Sequence, residues 1–112
     1  MRTFELGEVL ASRTIRFQPS NNGQTINVTV TVGRPVPDPG APYRDWFCPF
    51  QVTGFGDEVV RAVFGVDAMQ ALILALHTLP TELRALARDE SGSFPDLDED
   101  LGLTQACKMH VA

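Results

Sequence analysis

Apolar and polar positions alternate over residues 9–32, and this alternation predicts a β-hairpin. From Thr25 to Val32 every second residue is a β-branched apolar side chain, and the residues between them are polar. Residues 9–17 alternate in the same way, and residues 19–23 are turn-forming proline, serine, asparagine and glycine. Period-two alternation is typical of a half-buried strand, and a run of turn residues reverses the chain. We therefore expect two antiparallel strands.

Residues 46–53 and 58–64 predict two further strands, separated by a turn that contains Gly54 and Gly56. Pro49 lies inside the first of them and has no backbone N–H, so we expect that strand to lie at a sheet edge or to carry a bulge. One face of the first strand holds Trp46, Cys48, Phe50 and Val52, and on the second strand Val60, Ala62 and Phe64 oppose Val59, Arg61 and Val63.

A helix is predicted to begin after Asp67, with Gln70 three positions later in a capping-box arrangement. Apolar residues then recur at helical spacing from Met69 to Leu86, which predicts an amphipathic helix. Pro80 interrupts this stripe, so we expect one helix kinked there or two abutting helical pieces. Three small side chains allow close approach to the sheet or to a second protomer: Ala68, Ala71 and Ala75.

These elements predict a single α+β domain over residues 1–112, with a four-stranded antiparallel sheet and one main helix in two layers. Two segments stand apart, a proline-rich loop over 33–45 and an acidic C-terminal segment over 89–112. One helix covers one face of such a sheet. The uncovered face is expected to show Thr25, Asn27, Thr29, Thr31, Gln51 and Thr53, with Phe47 and a valine at 59 or 60.

Charge and cysteine usage narrow the functional classes. The chain carries 14 acidic and 9 basic residues, a net charge of −5, which disfavours nucleic-acid binding because such binding depends on neutralising phosphates. Residues 89–100 contain six acids and no base. No apolar run is long enough for a membrane span and the start has no secretion signal, so we expect a cytoplasmic protein with free thiols at Cys48 and Cys107.

Candidate chemistry is sparse, and we expect no catalytic residue, cofactor or metal. Asp96, Asp98 and Asp100 have the spacing of calcium-loop ligands, but a leucine and a cysteine occupy the positions that need glycine and glutamate. Cys48 would need a histidine nearby to act as a nucleophile, and a buried structural thiol explains it better.

The segment from Tyr43 to Leu86 resembles a family of small bacterial proteins of unknown function. The resemblance is carried by the Cys-Pro-aromatic strand at 48–54, the Gly56 turn and the Gly-Val-Asp-Ala-Met-Gln-Ala-Leu helix start at 65–72. It implies the strand–turn–strand–helix order and a bacterial origin, and it implies no catalytic residue.

Small size, acidity and the missing motifs favour a non-catalytic module that binds a basic protein, as an immunity or inhibitor protein does. The expected contact residues are Asp96, Asp98, Glu99 and Asp100, together with Tyr43 and Arg44. Tyr43 and Trp46 would form an aromatic contact patch that Arg44 flanks. One alternative is a small-molecule-binding or enzymatic homodimer with a site between sheet and helix, and a second is a structural subunit of an assembly. The homodimer alternative would use Gln51, Arg61, His77 and Trp46.

Overall fold

The computed structural model of the chain describes residues 2–40, 45–56 and 58–96. In these ranges the fold is α+β, as predicted, and its sheet is antiparallel throughout. The expected count of four strands is too low, because two additional strands of two residues each pair with the sheet. The elements are β1 (Val9–Pro19), β2 (Ile26–Gly33), β3 (Val36–Pro37), β4 (Trp46–Thr53), β5 (Val60–Gly65), α1 (Ala68–Asp89) and β6 (Gly92–Ser93).

Strand β4 lies inside the sheet, so the expectation that Pro49 marks a sheet edge is wrong. On one side β4 pairs with β5 along residues 46–51. On the other side it pairs with β2 through residues 50–53 and with β3 through Trp46 and Phe47. The ladder on this side is therefore broken at the proline, which lacks the N–H that a continuous ladder would use.

The outer positions of the sheet belong to β1 and β5. Strand β1 pairs with β2 in the predicted hairpin, from Phe17 opposite Ile26 to Val9 opposite Gly33, with an irregularity between Val9 and Ala11. The short β6 adds to the end of β1, at Gln18 and Pro19. Strand β5 pairs only with β4 among the described strands.

The core lies between α1 and one face of the sheet. The helix approaches β5 at backbone distance, because a Cβ atom on Gly65 would lie 2.5 Å from the backbone nitrogen of Ala71. Ala71 and Ala75 are fully buried, so the predicted small-residue contact is made with the sheet. The sheet contributes Ile15, Phe17, Val28, Val30, Val32, Cys48 and Phe50 to this core, and the helix adds Leu79 and Leu83.

The buried face of α1 is rotated from the predicted stripe. Met69 is 72% exposed and Ile73 is 48% exposed, whereas the alanines face the strands. Alanine faces the sheet because a larger side chain would not fit where the backbones approach so closely. The helix is continuous through Pro80, so the alternative of two abutting helical pieces is wrong.

The predicted helix start is confirmed. The Asp67 carboxylate accepts a hydrogen bond from the backbone nitrogen of Gln70 at 2.8 Å. The Gln70 side-chain oxygen in turn accepts one from the backbone nitrogen of Val66 at 2.7 Å. The first bond satisfies a backbone donor that the helix itself leaves unpaired, and the second satisfies the donor of Val66, the residue before the N-cap.

The N-terminal segment covers part of the second sheet face. The Phe4 ring packs 5.1 Å from the ring of Phe47 and 5.9 Å from that of Phe64. The Arg2 guanidinium lies 4.9 Å from the centre of the Phe4 ring and pairs with the carboxylate of Asp38. Phe47 is consequently 9% exposed, and its expected place on an open face is wrong.

Replacing Gly65 by alanine is expected to destabilise the protein by about 1–3 kcal/mol, because the new Cβ collides with helix backbone that cannot rotate away. Urea unfolding measures the change. Gly40→Ala is the control, since its nearest neighbour would lie at an ordinary 3.6 Å. Equal stability of the two variants would contradict the backbone contact.

Asp38→Asn is expected to lower the free energy of unfolding at neutral pH. The hydrogen bond from Arg2 holds the pKa of Asp38 below its ordinary value. The carboxylate therefore stabilises the fold above the unfolded-state pKa of about 3.9, and this contribution is lost as the pH falls through the lowered folded-state pKa. Denaturant unfolding between pH 7 and pH 2 measures the difference from wild type, which should close in acid. A difference that stays constant with pH would show that the substitution acts through packing instead.

Candidate functional site

The predicted acidic contact surface is described only at its first residue. Asp96 lies exposed beside β1, where its carboxylate accepts two hydrogen bonds from the Arg16 guanidinium, at 2.8 and 2.9 Å. This contact lowers the pKa of Asp96 and raises that of Arg16. The remaining predicted contact residues lie outside the described residues: Asp98, Glu99, Asp100, Tyr43 and Arg44.

A shallow pocket of about 80 Å³ lies between the second half of α1 and strands β4 and β5. On the helix, Glu82, Leu86 and Glu90 recur every four residues and so share one face of α1 and its C-terminal cap. On the sheet, Arg61 lies opposite Phe50 in the β4–β5 ladder. The full lining is Phe50, Val52, Phe55, Val59, Arg61, Glu82, Leu86 and Glu90.

The pocket combines an apolar floor with charged side chains that have no partner among the described residues. Within the described part of the chain, the side chains of Arg61, Glu82 and Glu90 form no hydrogen bond and no ion pair. Arg61 and Glu90 are exposed and Glu82 is half-buried. Two carboxylates against one guanidinium give the lining a net negative charge. Such a site suits a group that has an apolar stem and a positive end.

The pocket was not predicted as a unit, although the sequence contains a signal for part of it. The four-residue recurrence of Glu82, Leu86 and Glu90 places them on one helix face. Arg61 was predicted as a site residue only for the homodimer alternative. Nothing in the sequence shows that this strand residue and that helix face meet, because their contact depends on how α1 packs on the sheet.

The four residues of the homodimer alternative are not brought together. Gln51 lies on the opposite face of the sheet, where its side-chain nitrogen donates to the Glu58 carbonyl at 2.6 Å. His77 is exposed on α1, and Trp46 lies at the far end of β4 against the core. Only Arg61 lines the pocket between sheet and helix.

Cys48 is a buried structural thiol, as predicted. It is completely inaccessible, and its sulfur donates to the Gly33 carbonyl at 3.4 Å. Burial raises the pKa of the thiol to about 11, so the nucleophilic thiolate is scarce at neutral pH. Cys107 lies outside the described residues.

The described ranges contain neither a cluster of metal-binding side chains nor a helix that could span a membrane. No group of three or more histidine, cysteine, aspartate or glutamate side chains there is arranged to hold a metal ion. Among those same residues, α1 is too polar to cross a membrane.

The family model of a domain of unknown function, DUF6968, matches residues 11–105. The chain belongs to this family. The match extends beyond residues 43–86, and it includes most of the β1–β2 hairpin and every residue that lines the pocket. No curated protein and no solved structure matches the chain.

In a Cys107→Ser chain, Cys48 is expected to react with a thiol reagent at least about a hundredfold more slowly when native than when unfolded. A rise in pKa of two units alone lowers the thiolate fraction by that factor. Labelling at pH 7 with and without denaturant measures the two rates. Similar rates in both states would contradict the burial of the thiol.

Proposed function

We propose that this protein is a non-catalytic, cytoplasmic binding module that sequesters a basic bacterial protein, as an immunity or inhibitor protein does. The observation that carries the proposal is the excess of exposed carboxylates at the end of α1 and just after it. Asp89, Glu90 and Asp96 are all exposed, and no basic residue lies between them in the sequence, although Arg88 precedes them and Arg16 pairs with Asp96. A surface on which one sign of charge predominates steers an oppositely charged partner and pairs with it on contact.

The Arg16–Asp96 contact supports this proposal from within the chain. Both guanidinium–carboxylate hydrogen bonds are of normal length, and both side chains are more than half exposed. Paired, parallel hydrogen bonds of this kind are the mode by which carboxylates recognise arginine in protein interfaces. The first carboxylate of the acidic segment thus already holds one guanidinium, and a partner's arginine would share Asp96 with Arg16 or displace it.

Self-association is the second candidate, either as a small-molecule-binding or enzymatic homodimer with a site between sheet and helix, or as a structural subunit of an assembly. The observation that favours it is an exposed apolar group at the start of α1. Val66, Met69 and Ile73 are all exposed there at helical spacing. Sedimentation over a range of concentrations and a ligand-stabilisation survey test this candidate, and a monomer that no metabolite stabilises would argue against it.

The proposal predicts that a basic partner binds through the acidic segment. The protein and a variant with Asp96→Asn, Asp98→Asn, Glu99→Gln and Asp100→Asn are used to capture proteins from the source organism's lysate. A captured basic protein is then purified and its dissociation constant is measured for each chain. We expect salt to weaken binding and the fourfold variant to bind at least about tenfold less tightly.

The control variant loses the same number of negative charges, four, but loses them from residues 5–58: Glu5→Gln, Glu8→Gln, Asp45→Asn and Glu58→Gln. It should retain most of the affinity. Partner binding that survives neutralisation of the acidic segment, or that falls equally in the control, would overturn the proposal.

A further inference from the structure

We propose that the pocket lined by Arg61, Glu82 and Glu90 binds an arginine side chain of the partner. This inference rests on the proposed function, and it adds the anchoring site and the chemical group that fills it. The pocket lies close along the chain to the acidic segment, since Glu90 caps the helix from which that segment leads. The two regions are also linked through β1: the Phe55 ring of the pocket lies 4.9 Å from the Phe17 ring, and β6, which precedes Asp96, pairs with the end of the same strand.

The floor of the pocket fits the apolar part of an arginine. Phe50, Val52, Phe55 and Leu86 supply aromatic and aliphatic surface between the strands and the helix. The three methylene groups of an arginine side chain bury well against such surface, and its planar head stacks on aromatic rings. A volume of about 80 Å³ admits the end of one side chain and excludes a bulky ligand.

The rim of the pocket fits the guanidinium. Glu82 and Glu90 stand two helical turns apart on the same face and have no internal partner in the described part of the chain. A guanidinium has five donors in a rigid fork, so it can pair in parallel with either carboxylate. Arg61, on the strand side, remains available for a backbone carbonyl of the same partner.

An anionic ligand fits the lining less well. It would pair with Arg61 but would meet the carboxylates of Glu82 and Glu90, and like charges placed together are repulsive. The Arg16–Asp96 pair shows that this protein accommodates guanidinium–carboxylate contacts at its surface. A cation would meet Arg61, but two carboxylates against one guanidinium leave the lining net negative, and this balance favours a cation over an anion.

The test is an NMR titration of the full chain with N-acetyl-L-arginine methylamide. Its neutral isostere, N-acetyl-L-citrulline methylamide, and the anionic N-acetyl-L-aspartate methylamide serve as comparison probes. We expect the arginine probe to shift the amide signals of Phe50, Arg61 and Leu86, with a dissociation constant in the millimolar range or weaker. Glu82→Gln and Glu90→Gln should each weaken this binding about two- to fivefold, as loss of an exposed ion pair does, whereas Glu5→Gln should leave it unchanged.

Other outcomes overturn the inference: no shift with the arginine probe, equal shifts with citrulline, preference for aspartate, or unchanged affinity in the Glu82→Gln/Glu90→Gln double variant. The double variant is also assayed with the purified basic partner, where a severalfold loss of affinity is expected. If it binds the partner like wild type while neutralising residues 96–100 abolishes binding, the pocket inference fails and the proposed function stands. If neutralising residues 96–100 has no effect, the proposed function itself fails.

Discussion

The close contact between Gly65 and Ala71 is the constraint on which the rest of the structure depends. A Cβ atom on Gly65 would collide with the backbone of α1 at Ala71. Because glycine has no side chain, the helix backbone can pack directly against the end of β5. Ala75 continues this contact one turn later. Further along, the leucines at 79, 83 and 86 replace alanine as the residues that pack against the core. The pocket lies under the second half of the helix.

The sequence pattern predicted those parts of the fold in which the interacting residues lie close together along the chain. The β1–β2 hairpin follows from alternation and turn residues, and the start of α1 follows from the Asp67–Gln70 capping arrangement, since in each case the residues that interact are close in sequence. Strands β3 and β6 escaped prediction because two residues carry no periodicity. The burial of Phe47 escaped it because Phe4, which covers that ring, lies more than forty residues earlier.

The rotation of α1 illustrates a different limit. Periodicity places apolar residues on a common stripe, but it does not show which edge of that stripe is buried. In this protein steric fit decides: alanine faces the sheet near Gly65, and Met69 and Ile73 are left exposed although they are more hydrophobic.

The candidate site also has a part that the sequence predicts and a part that it does not. The acidic segment is visible in the sequence as a run of like charge, whereas the pocket joins β4, β5 and α1 and exists only after they pack.

The binding surface described above is tested most directly by a crystal structure of the protein with its purified basic partner. We predict a partner arginine in the pocket, with its guanidinium within about 3.2 Å of a carboxylate oxygen of Glu82 or Glu90. The same structure should place basic residues of the partner against the acidic segment that begins at Asp96. An interface centred on the exposed apolar residues Val66, Met69 and Ile73, with the pocket open to solvent, would contradict both the charge-based recognition and the role of the pocket.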